Sequence, residues 1–193
     1  DNISGIYAAA ISTSASILIC GALANPKLYS GIAFINPQTM ESTYCNPSTR
    51  PECAKALRAV YNTPVIGSFM YNLRYSRNAI LDRLSHIEGL DDTARNKLAD
   101  SMYEAAHTGG HCGRFLLGSI HGNLLNTDTK HMLEKLQIPV LVVTGTADRH
   151  SKKALSAFDL DKENISSITL EGISAPQLEC PDKLVLALNR FFE

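Results

Sequence analysis

The stretch ISTSASILICGALANPKLYSGIAFINP, Ile11 to Pro37, sets a cluster of hydroxyls where chemistry could begin. An apolar run, GIYAAAIS (5–12), gives way to Ser12-Thr13-Ser14-Ala15-Ser16. A helical stretch from Ala15 to Leu23 follows and stops at Asn25-Pro26. A strand, a tight turn of small residues and a helix can hold a serine hydroxyl exposed above the end of a sheet, here with Ser14 at the centre of the turn. Such a hydroxyl becomes a nucleophile only when a neighbouring base takes its proton near neutral pH. The same serines have a plainer use. A helix start leaves backbone N–H groups unpaired, and Ser12, Ser14 and Ser16 are all of a type that caps them.

The candidate bases are six histidines: His86, His107, His111, His121, His131 and His150. Five lie in or at the edge of the middle of the chain, and His150 follows the third apolar run. HTGGHC (107–112) brings His107, His111 and Cys112 together, all plausible zinc ligands. Two histidines four apart serve a metal from a rigid helix, and Gly109-Gly110 between them interrupts one, so a structural turn is the expected reading and no metal is assigned. Arg114 and GSIHGNLLN are candidates for lining a groove, with helix packing as their ordinary role.

Positioning these groups takes a core. A chain of 193 residues, 45% of them apolar, is long enough for one. Eighteen basic residues against nineteen acidic ones give a net charge of −1, so no broad field draws nucleic acid or anionic lipid. The longest apolar run is broken by serines well short of the ~18 residues that span a bilayer, and the N-terminus lacks the pattern of a leader peptide, so the expected location is cytoplasmic. The five cysteines, Cys20, Cys45, Cys53, Cys112 and Cys180, are then expected as free thiols, although Cys45 and Cys53 could close a short loop under oxidising conditions.

Four short apolar runs read as buried parallel strands: GIYAAAIS (5–12), SGIAFINP (30–37), IPVLVVTGT (138–146) and ISSITLEG (165–172). Helical stretches alternate with them, which predicts a parallel sheet with crossover helices. Pro181 to Phe192 is a helix with Leu184, Leu188 and Phe191 on one face. Gln38 to Gln137 differs in character and reads as a helical insertion. LDDTARNKLADSMYEAAH (90–107) is amphipathic with Asp91 or Asp92 as N-cap, and KALRAVYNTPVIGSFMYNL (55–73) is expected to break at Thr63-Pro64 and at Gly67.

With these pieces in order, the chain resembles the C-terminal portion of an α/β-hydrolase-fold protein, its elbow written S-T-S-A-S in place of G-x-S-x-G. NPKLYSGIAFINP is similar to the family's helix end and next strand, IPVLVVTGTADRHS to the strand carrying the triad acid, and GISAPQLECPDKLVLALNRFF to the final strand end, loop and helix. The resemblance implies that Ser14 and Asp148 stand at the nucleophile and acid positions. Aligned on Pro176, Leu178, Glu179 and Pro181, the catalytic histidine's position falls on Ser174, or on Ala175 if the turn is one residue shorter, and neither is a base. The family's earlier strands, with the loop that donates one oxyanion-hole N–H, have no counterpart in this sequence.

The expected fold is therefore α/β, a partial hydrolase-like parallel sheet with an inserted helical cap: core over 1–37 and 138–193, cap over 38–137. The expected function is that of a divergent, catalytically impaired homologue with a small acyl or ester-like ligand under the cap and no cofactor or metal. Two alternatives stand beside it. One is an active serine esterase completed by His150 or by an N-terminal half outside this chain. The other is a non-catalytic module that pairs, through the open edge at GIYAAAIS, with such a half or with a second copy.

Overall fold

The computed structural model describes residues 5–37, 51–110, 112–121, 129–147 and 162–193. All four expected strands form: β1 (Ile6–Ile11), β2 (Tyr29–Ile35), β3 (Val140–Gly145) and β4 (Ile165–Leu170). They make one parallel sheet in the order β1-β2-β3-β4. Parallel strands buried on both faces need apolar side chains at every position, which is why β3, VLVVTG, is buried from end to end.

Strand alternation sends successive residues to opposite faces. On one face, Ile32 and Phe34 of β2 meet Val140 and Val142 of β3. Helix α1 (Ser14–Ala24) covers them through Ala15, Ile19 and Ala22, and a helix at Thr129–Lys135 packs beside α1. On the other face, Ala33, Ile35, Leu141 and Val143 pack against Leu184 of the C-terminal helix, Pro181–Phe192, with Leu188 and Phe191 alongside. Burial of a side chain such as Phe34 or Ile32, both fully inaccessible, contributes about 1.5–3 kcal/mol.

The chain divides into two compact units, Asp1–Ser42 with Thr127–Glu193, and Thr43–Asn126. In the second, the regular elements among the described residues are all helices: α2 (Pro51–Asn62), α3 (Pro64–Arg74), α4 (Arg77–Ser85), α5 (Asp92–His107) and α6 (Cys112–His121). In these terms Thr129–Lys135 is α7, and it belongs to the sheet unit although the sequence reading carried the insertion on to Gln137. A short helix α8 (Pro176–Glu179) precedes the C-terminal helix, α9.

The break at Thr63-Pro64 is present: Thr63 caps α3 by accepting from the Gly67 N–H, and Pro64 occupies its first turn. The expected break at Gly67 is absent. Gly67 lies inside α3, where a Cβ would collide with the Tyr61 carbonyl, so this glycine serves close helix approach rather than helix termination. Asp91 caps α5, accepting from the Ala94 N–H at 2.7 Å.

The free-thiol expectation needs a second correction. Cys53 is disulfide-bonded, with its partner outside the described residues, whereas Cys20, Cys112 and Cys180 are free. The expectation had leaned on an assumed reducing compartment, which the order of residues does not encode. Among the described residues no helix is long and apolar enough to cross a membrane.

Candidate functional site

In a parallel sheet, groups that follow the strands' C-terminal ends gather along one edge, and four described residues stand at such ends here. Ser12 follows β1, Asn36 follows β2, Gly145 closes β3, and Ser174 lies in the loop after β4. Asp148 and His150 follow β3 in sequence but lie outside the described residues.

The strand-to-helix turn falls on Ser12. Its backbone is left-handed, φ 58°, and its N–H donates to the Ile35 carbonyl at 3.0 Å, which fixes the turn to the end of β2. A left-handed serine carries strain that glycine would not, and such strain collects at sites that aim a side chain. Ser14, two residues on, is the first residue of α1 and is exposed. The turn conformation that the resemblance attached to Ser14 is thus found at Ser12. The signal was present in the sequence, since the last strand residue, Ile11, puts the turn on the very next one. The N-cap of α1 is Thr13, and its side chain makes no capping bond.

Asn36 ties the other strand ends together. It is 6% exposed and left-handed, φ 43°, and its N–H donates to Val143 O at 2.8 Å. Its Oδ1 accepts from the Gly145 N–H at 2.8 Å, while its Nδ2 donates to the Ser174 carbonyl at 2.6 Å. One buried amide thereby joins the ends of β2 and β3 to the loop after β4. Gly145 makes room for that loop, since a Cβ there would overlap the Ile173 carbonyl. The Ala147 N–H donates to that same carbonyl. From the far side, Glu179 Oε1 accepts from the Ser174 N–H at 3.0 Å and the Ala175 N–H at 2.7 Å. Ser174 is therefore held from both sides in a loop with no imidazole. Sequence reasoning missed the Asn36 clamp and Gly145; the Asn36-Pro37 pair marked only a strand end.

In the helical unit, Arg114 is 9% exposed and structural: its guanidinium donates to the Pro64 carbonyl at 2.7 Å and Ser68 Oγ at 2.6 Å. His107 ends α5, its Nδ1 2.8 Å from the Tyr103 carbonyl, and Gly109 and Gly110 make the expected turn at positive φ. His111 lies outside the described residues, and among those described no cluster of His, Cys, Asp or Glu is arranged to hold a metal. An apolar pocket of about 410 Å³ opens within this unit beside Tyr71, Tyr75, Met102, Leu116 and Ile120. Burial pushes the Tyr71 phenol above its ordinary value, with Tyr75 adding to the effect, and its hydroxyl donates to the Ala106 carbonyl at 2.8 Å.

By sequence, no family model and no curated protein matches this chain. By structure it is similar to several solved α/β hydrolases. One is MGS-M2, an α/β-hydrolase enzyme from a Medee basin deep-sea metagenome library (16% identity, TM-score 0.63, 99% of this chain and 66% of that one). A second is a thermophilic esterase from Thermogutta terrifontis (15%, TM-score 0.65, 97% and 64%). A third is 2-hydroxy-6-oxo-6-phenylhexa-2,4-dienoate hydrolase from Rhodococcus sp. strain RHA1 (17%, TM-score 0.63, 98% and 64%). The chain thus spans 64 to 66% of the length of these structures.

Proposed function

We propose that this chain, which has the α/β-hydrolase fold, is a divergent hydrolase homologue that keeps the nucleophile's turn at Ser12 and lacks the base. The observation that carries the reading is the loop after β4. Ser174 stands where an imidazole would be needed, its N–H bonded to Glu179 and its carbonyl to Asn36, and the sequence holds no histidine beyond His150. A serine hydroxyl attacks an acyl carbon when imidazole removes its proton as the new C–O bond forms, and the same imidazole then protonates the leaving group. Without that relay the hydroxyl stays an ordinary alcohol, and turnover falls by roughly 10⁴–10⁶-fold. The apolar pocket beside Tyr71 supports a ligand of acyl or ester type, bound rather than hydrolysed, with the helical unit as the cap.

The test is p-nitrophenyl acetate hydrolysis by the protein at its natural length. Wild type and Ser12→Ala are expected at the same background rate, and Ser174→His is expected to gain activity that a further Ser12→Ala removes. Wild-type activity abolished by Ser12→Ala would overturn the impaired reading.

One observation favours the alternative of a weak serine hydrolase. Ser12 keeps a left-handed backbone that costs on the order of 1–3 kcal/mol, and an idle turn would be free to relax to glycine. In that reading the base is His150 or a group outside this chain, and His150→Ala separates these two sources.

A further inference from the structure

Helix α3 is apolar on two opposite sides. On its inner side, Gly67 lies against the Tyr61 carbonyl of α2, and Tyr71 packs with Tyr61 and with Leu117 of α6. On its outer side, Val65, Phe69 and Leu73 are 80%, 65% and 59% exposed, with Ile66 and Met70 exposed beside them. At 3.6 residues per turn these five positions form one stripe, on the side opposite Gly67 and Tyr71. A helix that is apolar all round belongs in an interior, so this stripe calls for a cover. Together the five side chains expose on the order of 500 Å², the size at which a surface patch is often functional.

Two features say what covers it. The first is charge: no charged residue stands between Arg58 and Arg74. A helix that lies on a membrane carries Lys and Arg along its polar side, whereas α3 offers only Ser68 and Asn72 before its last residue. A charged face would meet its own sign in a second copy, and this face meets none. The second feature is symmetry. Phe69 is the middle residue of Pro64–Arg74, with Val65 and Leu73 four positions to either side. An antiparallel copy related by a two-fold axis at Phe69 therefore sets Val65 against Leu73 of the second copy, and Leu73 against its Val65. That reciprocity is what a two-fold interface requires. With Asn72 and Arg74 at the rim, such a contact approaches the ~800 Å² per partner of a stable interface.

We propose that the outer face of α3 is the two-fold interface of a homodimer, with α3 packed antiparallel on its copy and Phe69 at the axis. This inference does not depend on whether Ser12 is reactive.

Sedimentation of the protein at its natural length tests it. Wild type is expected as a dimer at about 10 μM, and Phe69→Glu, its fold checked by circular dichroism, is expected to raise the dissociation constant about 100-fold or more. Met70→Cys gives an independent reading: one position from the axis, it is expected to form a covalent dimer on mild oxidation, whereas Glu88→Cys, in the exposed turn between α4 and α5, is not. A monomeric wild type would overturn the proposal, since the stripe would then be bare or covered by another segment of the same chain. So would a dimer that Phe69→Glu leaves intact, because its interface would lie elsewhere. A monomer that binds phospholipid vesicles through Phe69 would overturn it in favour of a lipid surface.

Discussion

Asn36 joins three strand ends through one side chain, and its replacement separates two contributions. Asn36→Ala loses both side-chain bonds and puts an alanine at φ 43°, so unfolding free energy is expected to fall by about 2–4 kcal/mol. Asn36→Gly loses the same bonds without the backbone strain and is expected to retain roughly 1 kcal/mol of that. Denaturant unfolding of both variants checks the order, and two variants as stable as wild type would mean the clamp contributes nothing. The clamp was illegible in the sequence for a physical reason: its two side-chain bonds span 109 and 138 positions, beyond the reach of any local pattern. The turn serine was half legible. The serine cluster marked the strand-to-helix turn, and only the left-handed backbone at Ser12 distinguishes it from Ser14.

Helices and strands were more readable, because the patterns that encode them are local. The four apolar runs became the four strands with ends shifted by no more than two residues, β2 starting one residue early at Tyr29, and Pro181–Phe192 formed as expected. Gly67 was read as a breaker because glycine is a poor helix former, whereas its reason is a contact with the preceding helix that no periodicity reveals. Gly67→Ala is accordingly expected to destabilise the helical unit by about 1–3 kcal/mol despite better helix propensity, and a stabilised variant would show that α2 and α3 can part. Asp91→Ala, which removes the α5 cap, is expected to cost about 1 kcal/mol by the same measurement.

Between α4 and α5, the hydrogen bond from Arg77 holds the Asp100 carboxyl below the usual carboxylate range, their opposite charges acting in the same direction. A depressed carboxyl contributes stability that is present above its unfolded pKa and lost as pH falls through the folded one. Both groups are exposed, so the effect on stability is small and the titration is the better measurement. The Asp100 carboxyl carbon, followed by NMR, should titrate below an ordinary aspartate in wild type and return to the ordinary range in Arg77→Gln.

For the whole molecule, composition bounded the fold class but not the redox state of its cysteines. With Cys53 bonded and Cys20, Cys112 and Cys180 free, the unreduced, denatured protein is expected to titrate three thiols, and five would contradict the disulfide. The parallel sheet was legible from the apolar runs and their alternation with helices, while the proposed loss of function rests on one position, Ser174, whose surroundings only the folded chain reveals. The most direct test of that loss is covalent. The natural-length protein is incubated with a fluorophosphonate under conditions that fully label an active serine hydrolase, and the peptide carrying Ser12 is then weighed by mass spectrometry. No adduct is the predicted result, because no imidazole in the loop after β4 can take the proton as the phosphorus–oxygen bond forms. A stoichiometric adduct on Ser12, absent from Ser12→Ala, would contradict the account.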